Sequence, residues 1–379
     1  METEAGSQTA HGFSRSRALG PILLVAALHT AALVSYVGAY RGDLSALVCV
    51  NEGQIEQWPF EMIHVGFPKD GYDGQYYYVL ARHPWSRHSR EFLDFPSYRH
   101  ARILYPALAW LFSGGDPVLL LWIMPAINLA AIIGLAWVGA CVALYYRRSP
   151  WWGCLLPLIL NAGMPALRDL TDPLATMAVC AVLAAYLLNW PVWQLALWAV
   201  GAALSREQNV VIILLVLGDA FLERRWCRAL PLTVALLLWL GWVLTLRVSY
   251  AEWPVAAGNV SVPLSGIWYC VMHLTGQYGR PAILNVAGML LLFLQMGLSG
   301  IVLVRAQRLT AAVTLAGVVL VLLGGVPIYQ SSWSYVRVFV WMPLGIWLWS
   351  IQSGRQWPVL LLIPGAFWFV LASLQPWIE

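Results

Sequence analysis

Eleven apolar runs divide this chain, and few architectures can bury them all. They are Ala18–Tyr40, Val118–Tyr146, Trp151–Met164, Leu174–Leu188, Val192–Leu204, Val210–Leu222, Ala229–Val248, Ala282–Val304, Thr310–Ile328, Arg337–Ser350 and Pro358–Leu371. Crossing a bilayer as a helix takes ~20 predominantly apolar residues. The chain is 60% hydrophobic and only 11% charged, whereas soluble domains carry about 25% charged residues. No short alternating runs of the kind a β-rich protein needs are present. The pattern predicts an all-α polytopic membrane protein of about eleven transmembrane helices. Its 22 Trp suit many membrane–water interfaces, where the indole sits at headgroup depth among membrane lipids. A net charge of +4 with no basic stripe excludes a nucleic-acid partner.

The short basic loops set an orientation, because Lys and Arg concentrate in cytoplasmic loops. Residues 1–17 are polar and predict a disordered cytoplasmic N-terminus. The first run is too long for a typical signal-peptide core and reads as an uncleaved span. With Arg15 and Arg17 inside, the clusters Arg147-Arg148, Arg224-Arg225 with Arg228, Arg305 with Arg308, and Arg355 all fall on the same side. Residues 18–379 are then a single transmembrane domain, N-terminus in and C-terminus out. It has a first extracytoplasmic loop at 41–117 and a second large one at 249–281. Ile103–Phe112 is short for a span and contains Pro106, so it is expected as an outer-surface or re-entrant helix. The basic residues of the long first loop, Lys69, Arg82, Arg87, Arg90, Arg99 and Arg102, weigh little, because long loops obey the charge rule weakly. Trp151–Met164 and Val192–Leu204 are short for a span and end outside, which predicts a bundle hollowed from its outer face. No inverted repeat of the transporter kind is visible. Six Cys without CxxC spacing argue against structural zinc. Cys141, Cys154 and Cys180 lie in apolar runs. Cys49 and Cys270 fall on the outer side, a candidate disulfide in an oxidising compartment.

On this topology the unusual polar residues converge outside. The densest stretch is Asp70-Gly71-Tyr72-Asp73-Gly74-Gln75-Tyr76-Tyr77-Tyr78. Other outer loops bring Glu52, Glu56, Glu61 and His64; Arg168, Asp169 and Asp172; Arg206 and Glu207; Glu252, His273, Tyr278 and Arg280; and Tyr329, Gln330, Trp333, Tyr335 and Arg337. Polar groups near membrane depth are costly and usually serve a site or pathway. A carboxylate in a partly dehydrated cavity can take a proton, and guanidiniums can hold a phosphate through paired hydrogen bonds. Each element also has a plain structural role. Asp70-Gly71 and Asp73-Gly74 suit turns. Asp172 before Pro173 suits a helix start. Arg168 can snorkel to the interface. Arg206 and Glu207 can neutralise each other. Arg337 can anchor a span end, Tyr76–Tyr78 can sit at the interface, and His64 and His273 can be ordinary loop histidines.

GYDGQYYYVLARHPW (71–85) and DFPSYRHARILYPALAWLFSGG (94–115) resemble a group of bacterial polytopic proteins of cell-surface glycopolymer formation, similar to the GT-C glycosyltransferase superfamily. LRDLTDPLATMAVCAVLAAYLL (167–188), ALSREQNVVIILLVLGDAFLERRW (203–226) and YQSSWSYVRVFVWMPLGIW (329–347) are similar to later blocks of that group. The resemblance covers most of 18–350 in order. It implies a catalytic acid in the first outer loop, which Asp73 matches best and Asp70 next. It implies a further acid at a later outer span, matched by Asp169 or Asp172, and a basic donor contact matched by Arg206. The large soluble C-terminal domain of some members is absent, which counts against a peptide acceptor or oligosaccharyl transfer.

The expected function is a bacterial inner-membrane glycosyltransferase of the cell envelope. It moves a sugar from a polyprenyl-phosphate donor to an extracytoplasmic glycan or lipid acceptor in polysaccharide biosynthesis. Asp73 is the expected general base, with Asp70 in support. Arg168, Arg206 and Arg337 are expected at the phosphate, and Asp172, Glu207, Tyr76 and Tyr329 around the substrate. No cofactor is required by the sequence, and a divalent metal is compatible with it. Two other classes fit the same features: a transporter or flippase of lipid-linked glycans, and a non-catalytic subunit of a polysaccharide assembly machine.

Overall fold

The computed structural model describes residues 16–68, 71–86, 88–274 and 280–378. Asp70, Lys69, Arg87 and Tyr278 lie outside these residues, as do residues 1–15, most of the expected N-terminal tail. The described chain is helical almost throughout. In order it forms α1 (Ser16–Ala39), α2 (Gly74–Arg82), α3 (Pro96–Ala101), α4 (Leu104–Ser113), α5 (Pro117–Tyr145), α6 (Pro150–Cys154), α7 (Leu156–Ile159), α8 (Gly163–Ala166), α9 (Asp172–Leu187) and α10 (Val192–Ser205). It continues with α11 (Asn209–Leu222), α12 (Trp226–Tyr250), α13 (Ser265–Leu274), α14 (Arg280–Arg305), α15 (Arg308–Leu323), α16 (Val326–Tyr329), α17 (Ser332–Val338), α18 (Trp341–Ser353), α19 (Trp357–Leu362) and α20 (Phe367–Ile378). The strands are a two-residue parallel pair in the first loop, β1 (Val50–Asn51) against β2 (Gly66–Phe67).

Among the described residues, five helical segments are long and apolar enough to cross a membrane: Arg17–Ala39, Pro117–Tyr145, Trp226–Tyr250, Ala282–Arg305 and Trp357–Trp377. A sixth arises if α17 and α18, bent by 45°, count as one span. The molecule is therefore an all-α membrane protein. α9, α10, α11 and α15 are apolar but only 14 to 16 residues long. At 1.5 Å per residue, 14 residues cover about 21 Å of a hydrocarbon core about 30 Å thick. The run Trp151–Met164 is not one helix but the three pieces α6, α7 and α8. Pro157 and Pro165 explain the breaks, since each lacks the N–H that would continue the ladder, while Pro150 starts α6. Gly153 also lies so close to the backbone of Gly139 on α5 that neither residue has room for a Cβ.

Local chemistry fixes the starts and stops. Asp116 caps α5 by accepting from the Val118 and Leu119 N–H groups at 2.9 and 2.8 Å, and Pro117 takes the first helical position. Gly114, left-handed at φ 64°, closes α4. That helix, expected on the outer surface or re-entrant, is a separate 10-residue element packed on α2 and α5, with Leu111 and Phe112 exposed.

Specific contacts gather the helix ends into two faces. At one, Arg148 donates to the Ile351 carbonyl at the end of α18, and Gln352 reaches the Tyr146 hydroxyl. Arg228 caps the end of α9 through the Ala185 and Trp190 carbonyls. Arg308 binds Asp219 and Glu223 of α11, and Asp219 accepts from Tyr186 of α9. Thr310 donates to Gln352, so the Arg308 and Arg148 contacts are joined through neighbouring helix ends. The opposite face carries the start of α9, the turn between α10 and α11, α17 and the folded first loop. Cys49 and Cys270, the candidate pair, are both buried free thiols.

Candidate active site

α2 begins where Tyr72 and Asp73 leave the first loop. Gly71 (φ 66°) is left-handed, and the Tyr72 N–H donates to the Cys49 carbonyl at 2.8 Å. Gly74 is pressed against the Arg168 and Val48 carbonyls, so a side chain there would push the loop apart. The Asp73 side chain makes no helix cap. Its carboxylate instead bridges two guanidiniums, accepting from Arg99 at 3.0 Å and from Arg337 at 3.0 Å. Burial alone would raise the Asp73 pKa. Arg99 and Arg337 outweigh it and hold the carboxyl well below the ordinary carboxylate range.

Arg99 and Arg102 come from the end of α3. Arg99 is also gripped by Asp94 at 2.7 Å through both Nε and a terminal nitrogen, and its guanidinium lies 4.4 Å from the Tyr76 ring centre. Arg102 pairs with Glu207 through two bonds, 2.9 and 2.7 Å, and also donates to the Tyr77 and Tyr98 hydroxyls. Burial would raise Glu207, but Arg102 outweighs it and lowers its pKa to about 2. Arg206 pairs with Asp172, whose second oxygen lies 3.8 Å from Arg337.

These groups wall one cavity of about 540 Å³. Asp73, Asp94, Arg99, Arg102, Arg206, Glu207 and Arg337 make its polar end. Val211 of α11 and Val319, Leu320 and Leu323 of α15 make an apolar flank. Val211 and Val319 are also exposed. Asn259, from the loop between α12 and α13, covers another side and donates to the Tyr98 hydroxyl at 3.2 Å. With Asp172 behind the wall, four guanidiniums face four carboxylates. Two donors are left over: Nε of Arg206 and Nε of Arg337 are buried without an acceptor.

The expected site residues divide into three groups. Asp73, Arg206, Glu207 and Arg337 line the cavity, Asp172 lies directly behind it, and Tyr76 backs Arg99. Arg168 faces a second, smaller pocket behind Tyr72. Tyr329 is buried in an apolar cluster, its hydroxyl donating to the Val321 carbonyl at 2.8 Å and its ring against Tyr335 and Phe339. Arg206 and Glu207 do not neutralise each other, because Arg206 is extended (φ −160°, ψ 128°) and sends its side chain to a different partner. The reading from sequence left Arg99, Arg102 and Asp94 out of the site. Their signal was three charges within nine residues of an aromatic segment, read as loop basicity.

Asp169 stands apart. It is buried at φ 47°, within 3.4 Å of the Tyr105 hydroxyl, and its second oxygen has no partner. Tyr105 has one proton and also lies 3.1 Å from the Met124 carbonyl, while Asn128 donates to it at 3.0 Å. With no guanidinium paired to it, burial pushes the Asp169 carboxyl up to about 8. Among the described residues no group of three or more His, Cys, Asp or Glu is placed to hold a metal ion. His64 sits 3.8 Å from Glu56, and His273 stacks on Tyr269.

The chain matches no family model, no curated protein and no solved structure.

Proposed function

We propose that this protein is a membrane glycosyltransferase that takes a sugar from a polyprenyl-phosphate donor and passes it to a glycan or lipid acceptor. The observation that carries this reading is the cavity's make-up. An arginine-rich end surrounds a carboxylate, and an apolar flank from α11 and α15, with Val211 and Val319 exposed, lies beside it. A phosphate on a long isoprenoid needs both, side by side. In this reading the bundle crosses the bacterial inner membrane about eleven times in a GT-C-like arrangement. The shorter helices serve as spans around the hollow, and the arginine-capped face is cytoplasmic.

The chemistry follows from the clamp on Asp73. Held by Arg99 and Arg337, the carboxylate is a poor base. A donor phosphate offers those guanidiniums a better partner, and their transfer to it raises the basicity of Asp73. Asp73 then takes the proton of the acceptor hydroxyl. The freed oxygen attacks the anomeric carbon from the side opposite the phosphate. The bond from carbon to phosphate oxygen breaks, its electron pair leaves with the phosphate, and the guanidiniums stabilise the charge that develops there. The sugar is delivered with inversion.

Asp73→Asn tests the reading, since Asn keeps the size but cannot take the proton. Sugar transfer by membranes carrying the variant should fall by roughly 100-fold or more, with insertion unchanged. Normal transfer would remove Asp73 from the chemistry. Loss of surface glycan with intact transfer in membranes would favour a transporter of lipid-linked glycans instead.

A further inference from the structure

Arg168 is the arginine the donor cavity does not use. It lines a separate pocket of about 180 Å³ together with Tyr36, Tyr40, Phe67, Tyr72 and Gln375. Each cavity arginine has a carboxylate partner. Arg168 has none among the described residues. Among the described residues its side chain makes a long hydrogen bond, 3.4 Å, to the neutral Gln375 side chain, and its buried Nε has no acceptor. Two rings hold it in place, with the guanidinium 4.6 Å from the Tyr72 ring centre and 5.3 Å from that of Trp333. A positioned, desolvated cation with unused donors attracts an oxyanion. The aromatic walls suit the C–H faces of a sugar ring. The volume, about six waters' worth at roughly 30 Å³ each, accommodates one pyranose.

Tyr72 links the two sites. Its ring centre lies 4.6 Å from the Arg168 guanidinium and 5.4 Å from that of Arg337, which lines the larger cavity. It directly precedes Asp73 in the chain. We propose that the Arg168 pocket binds an anionic sugar unit, one ring bearing a carboxylate or a phosphate, as the terminal residue of the acceptor. Its role as acceptor rests on the transfer reading above. The selectivity for an anion rests on Arg168 alone.

Calorimetric titration of the full chain in detergent tests this, with glucuronate, glucose 1-phosphate, inorganic phosphate and glucose as probes. At least one charged sugar should bind at least tenfold more tightly than glucose. The preferred one tells a carboxylate-bearing from a phosphate-bearing unit. Arg168→Gln should weaken that binding at least tenfold, and Arg168→Lys should keep part of it, which separates lost charge from lost fold. Equal binding of glucose and the charged sugars, or unchanged affinity in Arg168→Gln, overturns the proposal. Inorganic phosphate binding as tightly as glucose 1-phosphate overturns the sugar part. Asp73→Asn should leave this binding intact. Binding of the charged sugar by a native chain that transfers no sugar in membranes would therefore sink the transfer reading and not the pocket.

Discussion

Arg206 and Glu207 are neighbours in the chain but serve different partners across the cavity, Asp172 and Arg102. Composition indicated that charge would gather here, but partner choice depends on backbone direction, which spacing does not encode. The same limit hid Arg99 and Arg102, since nothing in a long polar loop says which arginines turn inward. Asp73 was legible because a Gly on either side predicts a tight, aimed turn, and the left-handed Gly71 makes that turn. Asp169 was legible only as an acid near a helix start. Its burial without a cation is a property of packing around Tyr105 and Asn128. That burial has a measurable consequence. The folded carboxyl sits at about 8 against an ordinary 3.8, so between those values the folded state keeps a proton that the unfolded state has lost. Stability is complete below that window and falls as pH rises through it, by at most about 1.4 kcal/mol per pH unit. Asp169→Asn should lack this loss. Its melting temperature in detergent should exceed that of the native protein by a margin that grows from pH 5 to pH 8. Parallel pH profiles would show that Asp169 is ionised in the fold.

At the scale of elements, the long helices α1, α5, α12 and α14 match apolar runs read from the sequence to within a few residues. They are long, uniformly apolar and free of central breaks, apart from prolines that the helices absorb at Pro21, Pro125 and Pro231. Trp151–Met164 failed as a single helix because hydropathy is blind to proline spacing. The three short pieces let Gly153 meet Gly139 backbone to backbone. Close approach through small residues is a main source of helix association in lipid, where apolar burial gives little. Gly139→Leu should therefore separate α5 from α6 and lower the melting temperature by several degrees. The same change at Gly241, which has open space around it, should have little effect. Equal behaviour of the two variants would mean that the crossing contributes nothing.

For the whole molecule, Arg148, Arg228 and Arg308 are the arginines that the excess of Arg in short loops groups together. In the structure they cap helix ends or bind carboxylates. Cationic groups at helix C-termini also complement the dipole there, as Arg228 does for α9. Which face meets the cytoplasm is open to direct measurement. A Cys replacing Ser149, beside the Arg147-Arg148 cluster, should react with a membrane-impermeant maleimide only after the cells are opened. Labelling of intact cells would reverse the orientation and put the cavity inside.

The balance of four guanidiniums against four carboxylates also bears on how a ligand arrives. An empty site with no net charge casts little field into the surrounding water, so it cannot draw an anion from a distance. A water-borne anion would meet it at an unassisted rate, almost indifferent to ionic strength. A lipid that already lies in the membrane plane needs no such guidance. In the proposed function it would enter past the apolar flank and meet charge only on contact. On that reading the cavity selects by route of entry before it selects by chemistry.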